Sequence, residues 1–213
     1  MDRYDDASLG LDGLRASGEL EMLLPGEPGF EAACVPWSAR FRNRPIAIVR
    51  PASAAGVGAV VDSSRERGLK IAIQATGHGP TREADGAVLL DLSRLTDVRV
   101  DADARRAAIG GGANWETVLK ATTPHGLAPV LGSSPKVGAV GSIRGGGVGW
   151  LFRKYGSGAD NVRAFELVTA DGRTRLVDED EESELFWALR AAGAGHLGIV
   201  TSMEIELYPL TEL

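Results

Sequence analysis

PIAIVRPASAAGVGAVVDSSRERGLKIAIQ, residues 45–74, decides how this chain is read. Ile46–Val49 is a short apolar run closed by Arg50 and Pro51, the pattern of a buried strand. Ser53 is placed to cap a helix whose Val57, Val60 and Val61 share one face. That helix ends near Gly68, and Lys70–Gln74 is a second strand. A strand, a helix and a strand in so short a stretch predict parallel strands, because the helix returns the chain to the end from which it started.

Outward from this unit the pattern changes. Upstream, residues 1–44 read as an N-terminal extension, broken by Pro and Gly, with two short helical stretches around Leu11–Leu24. Downstream, Ala87–Asp91, Asp97–Asp101 and Arg106–Gly110 are short strands. Asn114 caps a helix carrying Trp115, Val118 and Leu119, closed at Gly126. Val162–Ala170 and Thr174–Val177 form a hairpin around Asp171-Gly172. Glu181–Ala191 is a helix with Leu185, Phe186 and Leu189 inward. Gly198–Leu207 is a long alternating strand. The expectation is an α+β chain: a small α/β subdomain over 45–95 with a parallel or mixed sheet, then a larger, mostly antiparallel sheet with flanking helices over 96–210.

Composition excludes several functions. There are 23 basic and 29 acidic residues, a formal charge of −6, and no basic stripe with interleaved aromatics. Nucleic acid is therefore not an expected partner. No apolar run reaches the roughly 18 residues of a membrane span. Met1–Leu20 lacks an apolar segment of the secretory kind, so a cytoplasmic location is expected. The single Cys34 allows no disulfide framework. His78, His125 and His196 lack ligand spacing, so no metal is expected. There is no G-x-x-x-x-G-K-S/T phosphate loop and no G-x-S-x-G elbow.

Glycine is the outlier, with 28 residues in 213, about 13% against a usual 7% or so. Three small-residue turns hold many of them. Gln74-Ala75-Thr76-Gly77-His78-Gly79-Pro80 follows a strand, and its exposed N–H groups suit an anion such as pyrophosphate; the bland alternative is a tolerated polar His. The loop Gly138–Gly149 has apolar flanks, so its glycines point to backbone pressed against a flat or charged ligand rather than to a solvated linker. Gly193–Thr201 leads small residues into a strand and fits either a ligand contact or a plain turn.

In this order the three turns resemble the FAD-binding domain of the PCMH type shared by vanillyl-alcohol oxidase, berberine bridge enzyme and 6-hydroxynicotine oxidase. The resemblance runs from about Arg44 to Pro209. The family turn R-S/G-G-G-H-S/D is matched at Gln74–Gly79. Asp85–Leu95, Gly141–Gly149 with Arg153–Gly156, Asp160-Asn161, Val168–Gly172, Glu184–Arg190 and Gly198–Ser202 follow in family order. The departures are Gln74 for Arg, Thr76 for Gly, and Gly79-Pro80 for a polar residue and Gly.

The resemblance implies a flavin-dependent oxidoreductase that takes hydride from an alcohol, amine or sugar carbon, with FAD held between two α/β subdomains. The implied FAD contacts are Gln74, Ala75, Thr76, Gly77, His78 and Gly79; Ser134, Val137, Gly138, Gly141, Ser142, Gly145 and Gly146; and Gly198, Ile199 and Val200. His78 matches the residue that in many members bonds to the flavin 8α-methyl. Ser134 takes the place of a second, Cys-borne attachment, so one link at most is expected. Relatives continue past the segment matched by Tyr208-Pro209 into a part that binds the small-molecule substrate and carries most catalytic bases. A second chain or domain is thus an expected partner, no residue of this chain stands as a catalytic base, and a flavin-binding protein without catalysis of its own is the alternative.

Overall fold

The computed structural model describes residues 9–38, 41–79, 84–191 and 196–210. The chain divides into two compact units: Met1–Arg94 with Val168–Thr174, and Leu95–Leu167 with Arg175–Leu213.

In the first unit, α1 (Asp12–Ser17), β1 (Leu20–Leu23), α2 (Phe30–Ala33), β2 (Ala47–Pro51), α3 (Ala54–Glu66), β3 (Ile71–Gln74) and β4 (Val88–Asp91) follow one another. The sheet order is β1-β2-β4-β3. Both β2 and β3 run parallel to β4, and β1 is antiparallel to β2. The strand, helix and strand of residues 45–74 are present, with β4 inserted between the two strands. Every residue of β4 is buried, as expected of a central strand covered on both faces. Ser53 caps α3 by accepting from the Gly56 N–H at 3.1 Å.

The stretch Leu11–Leu24 holds one helix rather than two. Gly18 ends α1 with φ at 80°, and Leu20–Leu23 then pairs with β2 as an edge strand, Leu20 and Met22 buried and Glu21 exposed. Pairing with a strand distant in sequence overrides a weak local helical preference. Arg50 ties the sheet together: its Nε donates to Asp91 at 2.7 Å and an Nη to Glu21 at 2.7 Å. Burial opposes the Arg50 charge, but the bonds to Asp91 and Glu21 outweigh it and hold the guanidinium above its ordinary pKa.

The second unit contains β5 (Val98–Asp101), β6 (Arg106–Gly110), α4 (Trp115–Thr122), β7 (Leu127–Ala128), α5 (Ala139–Arg144), α6 (Phe152–Tyr155), β8 (Val162–Val168), β9 (Thr174–Asp178), α7 (Ser183–Ala191), β10 (Ile199–Glu206) and β11 (Tyr208–Pro209). Five strands form a sheet in the order β5-β6-β10-β8-β9, and β11 pairs antiparallel with β7. The tip of the β8–β9 hairpin counts with the first unit, where Gly172 lies against Gly58 and Asp62 of α3. Asn114 caps α4 by accepting from the Thr117 N–H at 2.9 Å. The core of the second unit gathers Ile109, Trp115, Val118, Ile143, Phe165, Phe186, Leu189, Val200 and Met203 around the sheet. The architecture is α+β, with a mixed sheet and a larger sheet. Among the described residues no helix is long and apolar enough to cross a membrane.

Phe165 is fully buried in β8 and packs against Phe186, ring centroids 6.0 Å apart. Phe165→Ala should lower the unfolding free energy by about 3–5 kcal/mol, read from urea denaturation. Trp187→Ala, on the exposed side of α7, should stay within about 0.5 kcal/mol.

Candidate functional site

β3 delivers the first small-residue turn from the carboxyl end of a parallel strand, the end where α/β sheets place ligands. The Gln74 carbonyl accepts from the Leu92 N–H at 2.8 Å, and its side-chain oxygen accepts from Asn43 Nδ2 at 3.2 Å. Asn43 is buried and donates its own N–H to the Cys34 carbonyl at 2.9 Å. Gln74 is thus anchored to the segment before β2, a structural use for a position where the family has Arg.

Beyond Gln74 the backbone bends through Ala75–Gly79. Gly77 is buried with φ at 71°, and a Cβ there would lie 3.0 Å from the Trp37 nitrogen and 3.1 Å from Pro36. The turn therefore rests directly on the Pro36-Trp37 backbone. Among the described residues, the N–H groups of Ala75, Gly77, His78 and Gly79 have no hydrogen-bond acceptor, so a run of donors is left for an anion. The His78 ring stacks on the Trp37 indole, centroids 4.4 Å apart and planes 18° apart. Its Nδ1 lies 2.9 Å from the Thr76 hydroxyl oxygen, and its Nε2 is buried without a hydrogen-bond partner among the described residues. The imidazole is fixed in plane and in rotation while one nitrogen is left unsatisfied. A turn with open donors and an orphaned ring nitrogen is chemically fitted to an anionic group joined to an aromatic one.

In the second unit, the segment read as a Gly-rich loop contains α5. Ala139, Val140 and Ile143 lie on one side of it and are buried against the core; that apolar spacing forms a helix despite the glycines around it. The glycines fall into two kinds. A Cβ on Gly149 would lie 1.9 Å from the Leu131 carbonyl oxygen, so packing within the protein demands glycine there. Gly141 has open space on the exposed side of α5, and Gly145 is exposed as well. The Ser142 hydroxyl donates to the Ala139 carbonyl at 2.8 Å and accepts from Trp115 Nε1 at 2.9 Å, so the protein already uses it. Burial pulls the Arg144 pKa below its ordinary value.

Gly138 is buried and bridges to Asn114; Ser134 and Val137 are half-buried just before it. The side chains of Ile199 and Val200 are buried at the start of β10, so they can offer a ligand only backbone. The second turn and the part of the third from Gly198 onward come together through α5 and β10, which share the core of this unit. Gly193–Gly195 lie outside the described residues.

Other motif positions have structural uses. Tyr155 stacks on Tyr208 at 3.6 Å and 15°. The Tyr208 hydroxyl bonds to the Asn161 side-chain oxygen, and Asn161 Nδ2 donates to the carbonyls of Tyr155 and Ser157 at 2.9 and 2.6 Å. Burial raises the Tyr208 pKa, and the Glu206 charge adds to it. The Arg153–Gly156 and Asp160-Asn161 motifs thus close a knot of turns. Cys34 is buried, and burial together with the Glu31 charge pushes its thiol pKa up, which suppresses thiolate chemistry. The residue missed from sequence is Trp37, placed against His78 by a contact that no local pattern announces.

The FAD binding domain family matches residues 45–178. (R)-6-Hydroxynicotine oxidase of Paenarthrobacter nicotinovorans is 40% identical over 192 residues, covering 89% of this chain and 42% of that protein. Berberine bridge enzyme-like D-2 of Nicotiana tabacum is 36% identical over 182 residues, covering 80% of this chain and 31% of that protein. The glucooligosaccharide oxidase of Acremonium strictum, described with a 6-S-cysteinyl, 8α-N1-histidyl FAD, superposes with a TM-score of 0.85 at 29% identity, over 93% of this chain and 42% of its own. The chain therefore spans less than half the length of these relatives.

The two kinds of glycine should separate in thermal unfolding. Gly77→Ala forces an L side chain into the left-handed region and should cost about 1–2 kcal/mol. Gly141→Ala, in a helix with room for a methyl group, should be neutral or stabilise by about 0.5–1 kcal/mol.

Proposed function

This chain belongs to the FAD binding domain family, and from that premise we propose that it is the flavin-holding part of an oxidoreductase acting on an alcohol, amine or sugar carbon. The observation that carries the reading is the Gln74–Gly79 turn, where among the described residues the N–H groups of Ala75, Gly77, His78 and Gly79 are unengaged and the His78 Nε2 lacks a partner. FAD, when bound, supplies the hydride acceptor. The turn would hold phosphate oxygens through the N–H groups of Ala75, Gly77 and Gly79. His78 would carry the covalent tether, which fixes the ring independently of a binding equilibrium.

In the second unit the bare backbone at Gly141, Gly145 and Gly146 would allow close approach of the cofactor, and Gly198, Ile199 and Val200 would contribute main-chain contacts. Ser134, lacking a thiol, leaves the tether single. The substrate is a small molecule, and its contacts come from a further domain or chain. That second element of the reading is favoured by Val148, Trp150 and Phe152, which are 74%, 84% and 45% exposed; so much apolar surface in one segment suits burial against a partner.

Denaturing and acid-precipitating the purified chain tests the tether. The expected outcome is a yellow pellet and an intact mass raised by one FAD, with His78→Ala giving a colourless pellet from protein that is yellow before denaturation. Release of all flavin from the wild type would refute the tether and leave noncovalent binding. Gly141→Ala should weaken FAD binding in titration while leaving thermal stability intact, a combination that a purely structural glycine would not give.

A further inference from the structure

We propose that Trp37 is a positioning residue: its indole sets the plane of the His78 imidazole for bonding to flavin. This rests on the reading of His78 as the tether. Trp37 is 67% exposed, whereas a tryptophan that served only to fill a core would be largely covered. Its indole makes a near-parallel stack on the His78 ring. The backbone that carries the indole is fixed beside the turn: Pro36 and the Trp37 nitrogen lie directly against Gly77, one residue before His78.

Two constraints act on the imidazole from two directions. The indole fixes the tilt of the ring, and the Thr76 hydroxyl at 2.9 Å from Nδ1 fixes its rotation within that plane. With Nδ1 facing the Thr76 hydroxyl, Nε2 is the ring nitrogen left without a hydrogen-bond partner among the described residues. A reacting nitrogen held in one place reaches its partner far more often than one that samples several rotamers. The tether joins an imidazole nitrogen to the 8α carbon of the flavin. The imidazole loses its N–H proton and the methyl group loses one hydrogen. The two electrons and two protons released reduce the isoalloxazine ring, and dioxygen takes them from it as hydrogen peroxide.

The test is the rate at which added FAD becomes covalently attached to wild type, Trp37→Ala, Trp37→Phe, Thr76→Val and Thr76→Ser chains. The readouts are intact mass and flavin fluorescence in denaturing gels, with noncovalent FAD affinity measured beside them. Trp37→Ala should form the tether about tenfold more slowly, within the range for a misplaced reacting pair, with noncovalent affinity unchanged. Trp37→Phe, which keeps a stacking face, should restore the rate. Thr76→Val should slow it and Thr76→Ser should not. Attachment to Trp37→Ala at the wild-type rate would overturn this inference while leaving the tether standing. Equal loss of noncovalent affinity and of attachment rate in Trp37→Ala would also overturn it, by making Trp37 a binding contact. A wild type that never attaches FAD would remove the tether and the inference together.

Discussion

The parallel ladder between β3 and β4 is the constraint on which the candidate site depends. It pairs Gln74 with Asp91 at the carboxyl ends of the two strands, and the next hydrogen bond, from Leu92 to the Gln74 carbonyl, locks the last strand residue before the turn. From that point the chain must leave the sheet, and the small residues that follow let it bend at once. Arg50, paired with Asp91 and Glu21 across the neighbouring strands, holds the same edge of the sheet. An acid as buried as Asp91 would be costly without such a partner. The rigidity of the His78 turn is borrowed from these pairings.

A second constraint works in the other unit, where glycine serves two ends. At Gly149 the protein's own backbone occupies the space of a side chain, so glycine there is a condition of folding. At Gly141 none of the described residues occupies it. A string of glycines in a sequence does not separate these cases; the space around each Cα does. Helix α5 shows the same division, since its buried apolar residues Ala139, Val140 and Ile143 belong to the core while its exposed side carries Gly141.

Much of the fold was legible in the sequence because it is written locally. The caps at Ser53 and Asn114, the apolar run of β4, the Asp171-Gly172 turn and the alternation of β10 each depend on neighbours a few residues away. What was not legible is written at long range. Leu20–Leu23 becomes a strand because β2 offers it an edge. β4 enters between β2 and β3, an order that no spacing encodes. The candidate site followed the same division: His78 and its turn stood out by pattern, while Trp37 and Asn43, which hold that turn, sit in a stretch with no pattern to read.

The lone thiol of Cys34 lies 2% exposed in a cluster with Phe30, Ile48, Ala72 and Leu89. Its carbonyl holds Asn43, Asn43 holds Gln74, and Trp37 follows three residues after it. A maleimide or iodoacetamide reagent can reach that sulfur only when this packing opens. Thiol alkylation is therefore a built-in clock for local breathing of the segment on which the histidine turn leans.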